Sequence, residues 1–408
     1  MAISRSNISL QPARLAEWTQ RLLPSPTALL ESTVASYLRE GRTVYRLGLG
    51  QPDFPTPERA KDSAIRAIHD DFTGYTDTAG ILPLRQAISH ALKRDMGLDY
   101  GPDEIVVSVG GKHALFNAIC ALCRSGDEVL IPVPYWVSFP EQVKFAGAKP
   151  VFVPTEASGG YKVSPELLAK RTNESTRLLI LNQPNNPSGA VYNKQELAEL
   201  AAFCRERDIW VISDEVYAAY AFSSEGFTSI ASFPGMRERT VVINAVSKTY
   251  SMTGWRIGYS AAPAEVSEAM LLLQSHTTSN PSSIAQKAAL TAIEGPQDDL
   301  ETIRNRYIER RDILVEGVRR IRGLDCLKPE GAFYVWVDAS FWIGRTLNGR
   351  TVGSMDELAD ILLKDAGVAV MPGTGFGSTR HLRLSYAVAL PEMQGGLAAM
   401  EALLGLKG

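Results

Sequence analysis

Lys248 sits directly behind an apolar, strand-like run at 240–245, with Ser247 before it and Arg256 between Gly254 and Gly258 after it. A lysine that is to form a Schiff base needs a fixed position, a lowered pKa and a nearby anion site. Ser247 and Arg256 have the types to form two sides of a phosphate cradle. Other segments offer complementary chemistry. Asp214 and Glu215 end a second apolar run and could either do chemistry or cap a following helix. Gly110, Gly111 and Lys112 stand between a strand-like and a helix-like stretch, where backbone N–H groups can approach a phosphate. Trp136 follows another apolar run and reads either as core or as a flat face for a ring. Arg383 lies inside an apolar strand pattern, which is costly without a carboxylate partner. Its guanidinium fork suits a carboxylate held by two parallel hydrogen bonds.

These groups need a frame. Short apolar runs at 105–109, 128–133, 150–153, 178–182, 210–213, 240–244 and 257–261 alternate with helical stretches such as 194–207. Runs that are apolar along their whole length suit strands covered on both faces, so the alternation predicts an α/β domain with a mostly parallel sheet. In such sheets ligands gather at the carboxyl ends of the strands, and the residues above fall just after these runs. From 298 to 322 a charged helical pattern leads into strand patterns at 331–337, 368–371 and 381–386, read as a smaller α+β domain. The expected division is 1–49 as N-terminal arm and part of the small domain, 50–295 as the large domain, and 296–408 as the C-terminal small domain.

Composition narrows the class. With 408 residues, 45% hydrophobic content and a net charge of -3, the chain reads as a soluble globular protein without a basic surface for nucleic acid. No run is long enough to span a bilayer, and residues 1–14 lack the apolar core of a signal peptide. Cys120 and Cys123 form a C-x-x-C pair within an apolar helical run, where thiols act as small core residues. The expected compartment is the reducing cytoplasm. The histidines have no metal-ligand spacing, so no metal is expected. The glycine-rich stretch at 373–377 leads into a strand rather than a helix, unlike a dinucleotide site.

The string S-K-T-Y-S-M-T-G-W-R-I-G at 247–258, D-E-V-Y at 214–217, N-P-S-G at 186–189 and R-L-S-Y at 383–386 together resemble the class I aminotransferases. These are fold-type I enzymes dependent on pyridoxal 5'-phosphate, and the resemblance runs over nearly the whole chain. It is nearest to the bacterial aspartate and aromatic aminotransferase branch. It implies that Lys248 holds the cofactor as a Schiff base and then moves the Cα proton. Asp214 would keep the pyridine nitrogen protonated, and Tyr217 and Asn186 would bond the ring's 3'-oxygen. Gly110, Gly111, Lys112, Ser247 and Arg256 would hold the phosphate, and Trp136 would stack on the ring. Arg383, Asn186 and the Gly50 backbone would take the substrate's α-carboxylate. Tyr75 would reach the partner's phosphate across a homodimer interface. The Asn186–Pro187 peptide is expected to be cis.

The implied reaction is ping-pong transfer of an amino group from an L-amino acid to a 2-oxo acid (EC 2.6.1.-). An oxidase, lyase or cyclase acting on an L-amino acid would use the same anchors. A PLP-binding regulator would carry an added DNA-binding domain, for which fewer than fifty residues precede Gly50. In the aspartate and prephenate branch a lysine often precedes the P-S-x-T segment. Leu23 stands there instead, so a neutral or aromatic donor is as fitting as an aspartate-like one.

Overall fold

A computed structural model describes residues 22–407. The N-terminal stretch 1–14, weighed above as a leader, lies outside the described residues. Seven strands form one sheet: β1 (Ile105–Val109), β2 (Glu128–Val133), β3 (Lys149–Pro154), β4 (Thr176–Asn182), β5 (Trp210–Asp214), β6 (Thr240–Ala245) and β7 (Ile257–Ala261). Their order is β1-β7-β6-β5-β4-β2-β3. The neighbours from β6 through β3 pair in parallel. Only β7 runs the other way, antiparallel to both β1 and β6. The mostly parallel sheet expected from the apolar runs is therefore present. Strands β4 to β7 are buried almost throughout, because helices cover both faces.

The reversal of β7 matters for chemistry. The parallel strands end at the edge where β1, β2, β4, β5 and β6 release Gly110, Pro134, Gln183, Glu215 and Val246. Because β7 is reversed, it begins at that same edge, and Arg256 immediately precedes it. A parallel β7 would have delivered Arg256 to the opposite side of the sheet.

The second sheet has the order β12-β13-β9-β8, built from β8 (Asp325–Cys326), β9 (Tyr334–Asp338), β12 (Met371–Pro372) and β13 (His381–Ser385). All its pairs are antiparallel. A short ribbon of β10 (Thr346–Leu347) and β11 (Arg350–Thr351) stands apart. Helices Asp298–Arg320, Met355–Ala366 and Leu390–Leu404 bury this sheet. The first of these opens with Asp298, Asp299 and Glu301 and closes with Arg319 and Arg320, the charge order its dipole favours. Helix Pro26–Arg39 packs here too, and Tyr45 bridges Val368 in parallel.

Two strand expectations shift in detail. The run at 331–337 begins its strand only at Tyr334, because Gly331 bridges Ala221 in the large domain instead. The run at 368–371 yields only Met371 and Pro372, because Val368 is taken by Tyr45. Both partners are distant in sequence, so local periodicity carries no trace of them.

Candidate active site

A cavity of about 480 Å³ opens at the carboxyl edge of the large sheet and is closed on its far side by the small domain. Lys248 lies in it. It belongs to a short helix, Val246–Thr249, that follows β6 directly. The Tyr220 hydroxyl donates to the Lys248 carbonyl at 3.0 Å and holds that helix in place. The Lys248 ammonium donates to the Gly50 carbonyl at 2.5 Å. Burial lowers its pKa to about 8, with the positive charges of Arg383 and Arg256 acting in the same direction. A cofactor aldehyde would therefore meet a lysine with a substantial neutral fraction near neutral pH.

Asp214 ends β5 and is buried, accepting from the Val216 N–H at 3.3 Å. Burial raises its carboxyl to about 7. A buried carboxyl in that state gains from a cation beside it, and a protonated pyridine nitrogen is such a cation. Its neighbour Glu215 turns away and accepts from Ser213 at 2.7 Å and Ser229 at 2.5 Å, a structural role. The Tyr217 hydroxyl meets the Tyr334 hydroxyl at 2.9 Å. Asn182 donates to the Asp214 carbonyl at 3.0 Å and accepts from the Asn186 N–H at 2.8 Å, tying two loops together. The Asn186–Pro187 peptide is cis, as expected.

The phosphate end has a separate construction. Gly111 and Lys112 begin the helix Gly111–Leu122, and their two N–H groups precede the first helical bond, which His113 makes to the Gly110 carbonyl. Gly110 has φ 81, and a Cβ there would stand 2.3 Å from the Arg256 guanidinium, so only glycine fits. Arg256 adopts a left-handed backbone at φ 56 and donates to the Thr253 carbonyl at 2.8 Å. Ser247, the Arg256 guanidinium and this helix start line the same cavity, a setting suited to an anion.

Arg383 in β13 is 1% exposed. It donates to Asn186 Oδ1 at 2.9 Å and to the Gly48 carbonyl at 2.8 Å, while its Nε is buried without a partner. Its guanidinium lies 4.2 Å from the centre of the Tyr334 ring. Among the described residues no acidic side chain pairs with it. The internal salt bridge that would have explained a buried arginine is absent among those residues, and a carboxylate from outside fits the free donor. Gly50 is required by close approach, since a Cβ would stand 2.6 Å from the Tyr334 hydroxyl.

The structure thus gathers Gly50, Gly111, Lys112, Trp136, Asn186, Asp214, Tyr217, Ser247, Lys248, Arg256 and Arg383 around one cavity. Gly110 stands just behind, against Arg256. Tyr75 is not brought there: it is 94% exposed and lines no part of its own chain's cavity. Tyr334, Asn182, Thr27 and Glu31 also line the cavity, and of these only Thr27, in the P-S-x-T segment, and Asn182, at the end of β4, fall in segments the sequence had singled out. Tyr334 reads as core in an apolar strand, and the helix carrying Thr27 and Glu31 reaches the cavity only through the domain packing. Cys120 and Cys123 are held as thiols, pushed up to about 11 and about 12 by burial.

A family model for aminotransferase class I and II matches residues 42–399. This chain is a class I/II aminotransferase. The aminotransferase is 43% identical to the aspartate/prephenate aminotransferase of Cereibacter sphaeroides over 96% of its own length and 98% of that protein's. It is 40% identical to the aspartate aminotransferase of Bacillus subtilis, covering 92% and 95% of the two chains. The crystal structure of the aspartate aminotransferase from Rhizobium meliloti superposes with a TM-score of 0.91 at 39% identity, over 98% and 100% of the two chains. The fold is therefore that of the fold-type I aminotransferases, and the reaction class is amino-group transfer with pyridoxal 5'-phosphate as cofactor. The oxidase, lyase or cyclase alternative is not favoured. Among the described residues no group of three His, Cys, Asp or Glu could hold a metal ion, and no helix is long and apolar enough to cross a membrane.

Proposed function

We propose that the chain transfers the amino group of an L-amino acid to a 2-oxo acid in two half-reactions that share the cavity around Lys248. The observation that carries this reading is Lys248 itself, drawn down to about 8 in a cavity that also holds the partnerless Nε of Arg383. Bound pyridoxal phosphate would supply an aldehyde that condenses with an amine and a ring that accepts electrons from Cα. The protein's own residues do the rest. Arg383, with Asn186, binds the α-carboxylate and fixes which Cα bond faces Lys248. The Lys248 Nζ takes the Cα proton and holds it inside the cleft, where closure keeps water from competing. Asp214 would hold a proton at the ring nitrogen, Tyr217 and Asn186 would bond the ring oxygen, and Trp136 would stack on the ring. The backbone N–H groups of Gly111 and Lys112, with Gly110, Ser247 and Arg256, would hold the phosphate, leaving the Lys112 side chain to face the substrate.

For the donor we favour an aspartate-like dicarboxylic amino acid, with neutral and aromatic acids as further substrates. The relatives' names and the side chain of Lys112 support this. Its ammonium lies 4.9 Å from the centre of the Trp136 ring within the cavity, and burial, then Arg256, lower its pKa. Leu23, whose position weighed against aspartate, is 70% exposed and lines a neighbouring groove rather than this cavity. The exposed Tyr75 supports a homodimer in which each chain completes its partner's phosphate site. The four free cysteines fit a reducing, cytoplasmic setting.

The test is the visible spectrum of the holoenzyme as L-amino acids are added without acceptor. Loss of the yellow band with one oxo acid released per site, then a halt until an oxo acid is supplied, is expected. Continued turnover without acceptor would sink the reading.

A further inference from the structure

Most charged groups of the cavity have a role in the reaction proposed above. Arg383 takes the α-carboxylate, Arg256 the phosphate, Lys248 the Cα proton and Asp214 the ring nitrogen. The carboxylate of Glu31 remains, and it lines the cavity together with the Lys112 ammonium set above toward the substrate's side chain. Glu31 lies on helix Pro26–Arg39, where the spacing of Thr27, Ala28 and Glu31 turns one side of the helix toward the cavity. Glu31 is exposed and makes no ion pair or hydrogen bond with the described residues. Its negative charge nevertheless acts on two lysines of the cavity. Burial is the main influence on Lys112 and on Lys248, and Glu31 opposes it in both by favouring the charged ammonium. Of the two acids among the described residues that line the cavity, Asp214 is buried at the end of β5, so Glu31 is the one on the small-domain side.

We propose that Glu31 is a specificity-determining residue, a resident carboxylate that competes with the second carboxylate of a dicarboxylic substrate for Lys112. This rests on the aminotransferase site described above, with Lys112 at the side-chain end of the substrate. When the substrate side chain is neutral or aromatic, Glu31 balances the Lys112 charge, so no cation is left uncompensated against an apolar group. When the side chain is a carboxylate, it must share or displace Glu31 and meets its repulsion. One pocket can then serve both classes, with the dicarboxylate preference held below what Lys112 alone would give.

The experiment compares wild type and Glu31→Gln holoenzymes in the half-reaction with L-aspartate and with L-phenylalanine. Removing one like charge from the lining that receives the incoming carboxylate should raise kcat/KM for aspartate by about ten-fold, mainly through KM. The value for phenylalanine should stay level or fall, so the aspartate-to-phenylalanine ratio rises. Lys112→Met should lower the ratio, and adding Glu31→Gln to it should leave the ratio where Lys112→Met alone put it. A ratio in Glu31→Gln within two-fold of wild type, while both substrates still react, overturns the role of Glu31 and leaves the aminotransferase reading intact. An equal shift in the Lys112→Met background overturns the competition for Lys112. A wild-type holoenzyme that reacts with neither amino acid overturns the site reading and this proposal together.

Discussion

Lys248 and Arg383 are the residues whose environments depart furthest from what an exposed lysine or arginine would meet. Between about 8 and the ordinary 10.5, Lys248 is neutral in the folded cofactor-free chain although a free lysine would be charged. The neutral amine is the nucleophile, so its fraction grows as pH rises through the folded pKa. The rate at which cofactor-free protein captures pyridoxal phosphate should climb with pH and level off above about 8. Stopped-flow absorbance would check this, and a rate still climbing toward 10.5 would contradict it. At Arg383, lysine keeps the charge but loses the fork. Arg383→Lys should raise KM for amino and oxo acids by roughly 10- to 100-fold, the worth of one charge-assisted hydrogen bond, with a smaller change in kcat. Lys248 and Asp214 stood out in the sequence through the motif strings around them, and Arg383 because a charge inside an apolar run is costly without a partner; the structure brings all three to one cavity. Tyr334 did not stand out, because an aromatic residue in an apolar strand is what packing alone would choose.

At the scale of elements, the site depends on where strands end and helices begin. Gly110 joins β1 to helix Gly111–Leu122 with φ 81 and touches the space of the Arg256 guanidinium. Gly110→Ala should weaken cofactor binding at least ten-fold by displacing Arg256, and destabilise the fold by about 1–2 kcal/mol through the left-handed backbone. A cofactor titration and a urea denaturation series would measure the two effects. Asn193→Ala is the matching control. It removes a cap that accepts from the Glu196 N–H at 2.9 Å, far from the cavity. It should cost about 1 kcal/mol and leave cofactor affinity unchanged. The strands of the large sheet were legible because a short run that is apolar on both faces must be covered on both faces. The reversed direction of β7 was not, since an apolar run reads the same for either direction.

At the scale of the molecule, the exposed Tyr75 separates two arrangements. If it completes the partner's phosphate site, a dimer of one Lys248→Ala subunit and one Tyr75→Phe subunit contains one site with both native residues and one with neither. Refolding the two variants together should restore activity at limiting cofactor to roughly a quarter of wild type, the statistical share of native sites in a two-fold dimer. Activity equal to the sum of the separate variants would place Tyr75 outside the site. The proposed boundaries near 49 and 295 belong to this scale too, and their test is whether a hinge near them changes the cleft on substrate binding.

The amino-acid sequence by itself determined the fold class and pointed to the proposed cofactor lysine and anion-binding groups, because each is set by residue type over a short span. An apolar run buries itself, a glycine permits a left-handed turn, and a buried charge demands a partner wherever it lies. What only the tertiary structure decided is which distant groups share the cavity. Helix Pro26–Arg39 contributes Thr27 and Glu31 to the cavity that Lys112 also lines, and β9 contributes Tyr334 beside Tyr217. Those juxtapositions arise where elements of the small domain reach the carboxyl edge of the large sheet, and no local pattern of residues encodes a neighbour that lies about a hundred positions away.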